Sequence, residues 1–141
     1  MSWHYETSVQ WLGGERGLAE TAGKPPVEFT PPPEFGGVDS AWNPELLLVS
    51  SIETCMLLTS LHFVKALGIE LKSYDSKADG ELAKTPQGLR FQQMTVTVRG
   101  FVGKAEDVEK FKSAVANAEK WCPVSNAVNF PVHVIAEVFV A

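Results

Sequence analysis

Residues 43–68 read NPELLLVSSIETCMLLTSLHFVKALG and carry the start and stop signals of one long helix. Asn43 is a good N-cap, because its side chain can accept a hydrogen bond from a free backbone N–H of the first turn. Pro44 suits the first helical position, and Gly68 suits the position just past the end. The segment therefore predicts a helix over 44–67.

Apolar side chains cover most of the circumference of this predicted helix instead of forming a single stripe. They are Leu46, Leu47, Leu48, Val49, Ile52, Cys55, Met56, Leu57, Leu58, Leu61, Phe63, Val64 and Leu67. Such a helix must be buried on nearly every side, so we expect its own sheet and a second subunit to cover it in a homodimer. Polar residues between Ser50 and Lys65 interrupt the run, which argues against a membrane span.

Strand patterns precede the helix. Residues 2–12 alternate between apolar and polar side chains, which predicts a half-buried strand that turns at Gly13-Gly14. A return strand over 18–22 follows, and the proline-rich loop after it leaves room for one short edge strand over 27–30.

Strand and helix patterns also follow the long helix. The predicted order is a strand over 69–83, a strand over 89–102, an amphipathic helix that follows Gly103 and ends near Trp121, and a strand over 131–141, with turns at Asp79-Gly80 and 86–88. We expect the first two strands to form an antiparallel hairpin. The whole order indicates an α+β fold with antiparallel sheet, in a single domain over 1–141.

The composition excludes several classes of partner. The chain of 141 residues has a formal net charge of −5, with 12 basic and 17 acidic residues. This balance provides no excess of positive charge with which to bind nucleic acid or an anionic membrane. The start of the chain has no basic and apolar leader pattern, so we expect a cytoplasmic protein whose thiols are kept reduced.

Two cysteines, Cys55 and Cys122, are the main candidates for chemistry. Pro123 disfavours helical dihedrals at Cys122, which is expected to cap a short helix beginning at Pro123. A thiolate there would face free backbone N–H groups, which lower its pKa. Cys55 lies in mid-helix among apolar neighbours and needs a nearby cation to ionise. The alternative is that both thiols are buried apolar side chains.

Arg16 on the glycine turn is the candidate cation, although an exposed turn residue would explain it equally well. Glu45 complements the positive end of the helix dipole without any further role. Ten helical residues span about 15 Å, so Glu45 cannot touch Cys55 on one straight helix and could serve a thiol only across a two-fold axis. Glu53 is interpreted as a partner for another polar group.

Metal and cofactor signals are weak. His4, His62 and His133 lack ligand spacing with each other or with the cysteines, and no phosphate-binding or CxxC motif occurs. We therefore expect no metal and no cofactor.

Several short segments together resemble the OsmC/Ohr family of peroxide-reducing proteins over about residues 5–140. The segments are Gly13-Gly14-Glu15-Arg16, Gly36-Gly37, Asn43-Pro44-Glu45, Cys55 and Cys122-Pro123-Val124-Ser125. The resemblance implies an OsmC-like fold, with antiparallel sheets wrapped around long central helices in an intertwined homodimer. It also implies that both active sites lie at the dimer interface.

The resemblance further implies residue roles and an activity. Cys55 matches the peroxide-attacking cysteine, Cys122 the resolving cysteine, Arg16 the activating arginine and Glu45 its carboxylate partner. The implied activity is the reduction of organic hydroperoxides through a sulfenic acid at Cys55, which Cys122 converts to a disulfide that an external dithiol reduces. The approach to Cys55 is expected to be lined by Leu48, Ile52, Met56, Trp42 and Phe35.

The residues around Cys55 depart from the small, Phe-flanked version of the organic hydroperoxide reductases, and look more like the broader OsmC-like branch. Two other hypotheses stay open. One is a non-enzymatic homodimeric module that binds a hydrophobic small molecule at the helix interface. The other is a structural homodimer with no ligand.

Overall fold

The computed structural model describes residues 1–141. Their contacts divide the chain into two compact units, Met1–Leu48 and Val49–Ala141. The division falls within the first long helix, α1, which runs over Pro44–Ala66.

The first unit contains a three-stranded antiparallel sheet in the order β1-β2-β3. The strands are β1 Ser8–Gly13, β2 Arg16–Glu20 and β3 Val27–Phe29. The edge strand β3 confirms the prediction over 27–30 to within one residue. Gly13 and Gly14 both have positive φ in the tight turn between β1 and β2, a conformation that glycine adopts without strain.

Three predictions about β1 and β2 were wrong. β1 begins at Ser8 instead of residue 2, because Ser8 pairs with Glu20 at the end of β2 and earlier residues have no strand opposite them. β2 accordingly runs over 16–20 and not 18–22. The strand was also expected to be half-buried, yet Trp11 is 75% exposed.

Helix α1 starts at Pro44 as predicted and ends at Ala66, one residue earlier than predicted. The Oδ1 atom of Asn43 accepts a hydrogen bond of 2.8 Å from the N–H of Leu46, which is the N-cap interaction. Gly68 follows the helix with φ of 67°, and the N–H of Ile69 returns to the carbonyl of Val64 at 3.0 Å.

The chain itself buries only one stripe of α1. The fully or nearly fully buried residues are Ile52, Met56, Ser60 and Val64, at successive i, i+4 positions. Leu58, on another face, is 66% exposed. The helix is long and apolar enough to cross a membrane, a property that it shares with the core helices of soluble proteins.

The second unit has a mixed sheet in the order β4-β5-β6 and one further helix. Its elements are β4 Leu71–Thr85, β5 Gly88–Val102, α2 Asp107–Trp121 and β6 Val132–Val140. β4 and β5 form the predicted antiparallel hairpin. β6 was expected to be antiparallel, but it pairs parallel to β5. The reason is that α2 carries the chain back to the end of the sheet at which β5 begins, so that β6 runs in the same direction as β5.

The turn predicted at Asp79-Gly80 was also wrong. Both residues lie inside β4, where they pair with Thr95 and Met94 of β5. Gly80 is needed for close packing and not for a turn, since a Cβ atom there would lie 2.8 Å from Cγ2 of Val49. The hairpin reverses only at 86–87, followed by Gly88 with φ of 103°.

The core of the second unit lies between β5 and α2. Met94, Val96 and Val98 alternate inward on β5, as the sequence predicted. Phe111 and Ala118 on the apolar face of α2 are fully buried. This packing fixes the carboxyl end of α2, which carries Cys122.

Candidate active site

The second unit brings the two cysteines together despite 66 intervening residues. Both are free thiols. Cys122, Met56 and Ala118 form a fully buried cluster, and the half-buried Cys55 packs against it together with Val124 and Val134. The two thiols lie close enough to shift each other's pKa. A dithiol pair in contact is the arrangement that reversible disulfide chemistry requires.

The turn after α2 orients the sulfur of Cys122. The helix stops at Trp121, since Pro123 favours extended dihedrals at Cys122, where ψ is 113°. The N–H of Ser125 then points at Sγ of Cys122 at 3.4 Å. The hydroxyl of Ser125 donates to the carbonyl of Cys122 at 3.2 Å and closes the turn.

The expected short helix is thus a single 3-10 turn over Ser125–Ala127, two residues later than predicted. The electrostatic consequence drawn from the sequence nevertheless holds, because a backbone N–H does face the sulfur of Cys122. Ser125 belonged to the segment that carried the resemblance, but sequence reasoning gave it no role. A small polar residue three positions after a helix-ending Cys-Pro is the signal that could have found it.

The two thiols have opposite pKa shifts. Burial, together with the hydrogen bond to Cys122, raises the pKa of Cys55, and the nearby hydroxyl of Thr59 at 3.8 Å only partly offsets this. Burial also acts to raise the pKa of Cys122, but hydrogen bonds from Cys55, Ser125 and Val124 outweigh it and lower that pKa.

The other two expected catalytic residues, Arg16 and Glu45, lie in the first unit. Arg16 lies on β2, and its Nε–H donates to Oε1 of Glu28 on β3 at 2.8 Å, with a second hydrogen bond from Nη2 to the same oxygen. Both side chains are about half exposed. Oε2 of Glu45 is buried and has no hydrogen-bond partner. The structure therefore pairs Arg16 with Glu28, a residue that sequence reasoning missed.

The first unit contains a mostly apolar cavity of about 470 Å³. Its lining includes Arg16, Glu45, Phe35, Trp11 and Phe29. Phe35, one of the expected substrate-binding residues, therefore borders the same space as the two expected polar catalytic residues. A second hollow of about 570 Å³ is bordered by Arg16, Glu28 and Trp42.

The other expected substrate-binding residues lie on α1. Leu48, at the end of the first unit, is half-buried. Ile52 and Met56, in the second unit, have no exposed surface in the single chain and belong to its core. Their role in substrate binding stays a prediction.

The prediction that Glu53 pairs with another polar group is confirmed. Glu53 accepts a hydrogen bond of 2.6 Å from the hydroxyl of Ser76, as expected of a partner for another polar group. Arg99 forms an exposed ion pair with Asp75. No group of three or more His, Cys, Asp or Glu side chains is arranged to hold a metal ion.

Comparison with known proteins decides the family. The sequence profile described as "OsmC-like protein" matches residues 37–137, which is more than half of the chain. The chain belongs to the OsmC-like protein family. Among functionally curated proteins, none matches this OsmC-like chain in sequence.

Solved OsmC-like structures share the fold over nearly the whole chain. An OsmC-like protein of unknown function from Vibrio cholerae superposes with a TM-score of 0.84 at 18% identity, covering 99% of this chain and 100% of that one. An organic hydroperoxide resistance protein OsmC from Legionella pneumophila is 26% identical, with a TM-score of 0.72 and coverage of 98% and 99%. The organic hydroperoxide resistance protein OhrB of Bacillus subtilis is 24% identical, with a TM-score of 0.67 and coverage of 95% and 98%.

Proposed function

We propose that this protein is a thiol-dependent peroxidase that reduces organic hydroperoxides with Cys55 and Cys122. The proposal depends above all on the packing of the half-buried free thiol of Cys55 against the buried cluster that contains the free thiol of Cys122. The family supports it as well, since structural neighbours include organic hydroperoxide resistance proteins. We further propose that the protein works as a cytoplasmic homodimer.

The reaction follows from the chemistry of the pair. The thiolate of Cys55 attacks the terminal oxygen of the hydroperoxide, so an S–O bond forms, the O–O bond breaks, and the alkoxide leaves and takes a proton to become an alcohol. The sulfur of Cys122 then attacks the sulfenic acid, which forms the disulfide and releases water. An external dithiol returns both cysteines to thiols by exchange.

Arg16 and Glu45 complete the proposed machinery. Because burial raises the pKa of Cys55, its thiolate needs a cation, and we assign that role to Arg16 by family resemblance. Glu45 would orient the guanidinium, since a buried carboxylate oxygen without a partner is costly and a bidentate arginine satisfies it well. The apolar cavity that Arg16, Glu45 and Phe35 border would receive the organic group of the substrate.

Steady-state turnover tests the proposal. The reduced protein is mixed with cumene hydroperoxide and dithiothreitol, and peroxide loss is followed for the wild type and for the C55S, C122S and S113A variants. Ser113 is an exposed residue of α2 and serves as the control. We expect C55S to abolish turnover, C122S to turn over more slowly because the dithiol must then react with the sulfenic acid directly, and S113A to match the wild type. Wild-type turnover no faster than that of C55S would refute the proposal.

A second candidate is a non-enzymatic module that binds a hydrophobic small molecule. The mostly apolar cavity of about 470 Å³ favours it, because its volume lies in the range of small-molecule sites. The two candidates predict different results for C55S. A binding module would keep its ligand affinity in this variant, and its thiols would not respond to hydroperoxides.

A further inference from the structure

The loop over 30–38 forms one wall of the mostly apolar cavity of about 470 Å³ in the first unit. It contributes Thr30, Pro31, Pro32 and Phe35 to the lining. It also contains Gly36-Gly37, a motif to which the proposed reaction gives no role. The shape of this wall depends on how firmly the loop is held.

The side chain of Thr30 closes the loop. Thr30 is only 4% exposed, and its hydroxyl donates to the carbonyl of Pro31 at 2.8 Å and accepts from the N–H of Val38 at 3.3 Å. One side chain thus joins the two ends of the loop. The N–H of Thr30 also donates to the carbonyl of Trp42 at 3.0 Å, which anchors this junction to the segment that follows the loop.

The backbone stiffens the rest of the loop. Three consecutive prolines over 31–33 have restricted φ angles. The N–H groups of Phe35 and Gly37 both donate to the carbonyl of Pro32, at 2.9 and 3.1 Å. Gly37 lies so close to the preceding chain that a Cβ atom there would overlap the carbonyl oxygen of Pro31. Phe35 is therefore held at the cavity by its backbone, although its side chain is partly exposed.

We propose that Phe35 sets the preference for the organic group of the hydroperoxide, and that Thr30 is the positioning residue that holds Phe35 in place. This inference rests on the proposed function, which assigns the organic group to this cavity. A preformed apolar wall binds an alkyl or aryl group more tightly than a mobile wall, because no free energy is lost in ordering it. Hydrogen peroxide has no group that could contact the wall, so its reduction should not depend on Thr30.

The ratio of kcat/KM for cumene hydroperoxide to kcat/KM for hydrogen peroxide tests the inference. It is measured for the wild type and for Thr30→Val, which keeps the shape of the side chain but removes the hydroxyl, Thr30→Ser, which keeps the hydroxyl, and Phe35→Ala. Thr21→Val is the matched control, because the hydroxyl of Thr21 also donates to a carbonyl of the first unit, that of Glu6 at 2.9 Å, but Thr21 does not line the cavity. Circular dichroism checks the folding of each variant.

We expect Thr30→Val and Phe35→Ala to lower this ratio by at least about fivefold, through a higher KM for cumene hydroperoxide, and Thr30→Ser and Thr21→Val to keep it within about twofold of the wild type. The double variant T30V/F35A should have the same ratio as Phe35→Ala, because Thr30 acts through Phe35. An unchanged ratio in Thr30→Val, equal losses with both peroxides, or additive losses in the double variant would overturn the inference. If Thr30→Val does not fold, Phe35→Ala decides, since an unchanged ratio there would overturn it as well.

A binding measurement separates this inference from the proposed function. Calorimetric titration with 2-phenyl-2-propanol, the alcohol product of cumene hydroperoxide, needs no turnover. We expect Thr30→Val and Phe35→Ala to weaken its binding by at least about fivefold, and Thr30→Ser and Thr21→Val to leave it unchanged. Equal affinities in all variants would overturn the inference while the peroxidase proposal stands. Loss of binding in Thr30→Val would support the wall even if the wild type did not reduce peroxides.

Discussion

Arg16 donates two hydrogen bonds to Glu28, while the buried Oε2 atom of Glu45 has no partner. Both carboxylates belong to the first unit, and Arg16 borders one cavity with Glu45 and another hollow with Glu28. Exposed ion pairs such as that of Arg16 and Glu28 contribute about 0–1 kcal/mol, whereas an unpaired buried carboxylate oxygen is costly. We therefore expect Glu45 to compete with Glu28 for Arg16.

We predict that Arg16→Ala lowers kcat/KM for cumene hydroperoxide by at least about tenfold, or about 1.4 kcal/mol of transition-state stabilisation. The reason is that the half-buried Cys55 would lose the cation that we propose for its thiolate. Stability in urea should change little, because the ion pair is exposed. Arg99→Ala, which removes the exposed pair with Asp75, is the matched control and should leave both quantities unchanged. Near-normal rates for Arg16→Ala would make Arg16 an ordinary surface residue.

We predict that the protein is a homodimer, because the chain leaves large apolar side chains uncovered in each unit. Trp11 is 75% exposed and Leu58 is 66% exposed. Sedimentation at micromolar concentration should give a dimer, and Leu58→Glu should weaken it. Ser113→Glu, on an exposed position of α2, should not. A folded wild-type monomer at that concentration would contradict the prediction.

We predict that Gly100→Ala destabilises the second unit by about 1–3 kcal/mol, the usual cost of overpacking a core. A Cβ atom at Gly100 would overlap the ring of Phe111, which is fully buried. Gly103→Ala is the control, since the atoms nearest to its Cβ would belong to the flexible, exposed side chain of Glu70. Urea unfolding of both variants measures the difference, and equal losses would show that the Phe111 ring can adapt.

The helices and most strand positions could be predicted from the sequence because their signals are local. Asn43 and Gly68 mark the ends of α1 through side-chain capping and positive φ, and each acts within one turn. The turn predicted at Gly80 was wrong because glycine is common both in turns and where two segments pack closely. Only the close approach of Val49 distinguishes the two cases here. The parallel direction of β6 could not be predicted from the local sequence pattern, since it depends on the path that the chain takes through α2.

The candidate site was less accessible to sequence reasoning. Cys55 and Cys122 meet through the packing of α1 against the end of α2, which no spacing in the sequence encodes, and only the family resemblance suggested the pair. Glu28 was missed because a charged residue on an edge strand is usually solvated. Its pairing with Arg16 becomes visible only once β2 and β3 are aligned, with Leu18 opposite Glu28.

We predict that the protein prefers organic hydroperoxides to hydrogen peroxide by at least about tenfold in kcat/KM, which needs only about 1.4 kcal/mol of differential binding. An alkyl or aryl group can gain about 0.8 kcal/mol per buried methylene in the apolar cavity, and hydrogen peroxide cannot. Steady-state rates with cumene hydroperoxide, a fatty-acid hydroperoxide and hydrogen peroxide measure this preference. Equal or reversed efficiencies would show that the cavity does not select for the organic group.

The most direct test of the proposed function is the thiol stoichiometry of a single turnover. The reduced protein is mixed with one equivalent of cumene hydroperoxide in the absence of any dithiol, and free thiols and peptides are then analysed by mass spectrometry. We predict that two thiols disappear per hydroperoxide and that one intrachain disulfide joins Cys55 to Cys122. Unchanged thiols, or sulfinic acid at Cys55 with Cys122 still reduced, would contradict the account.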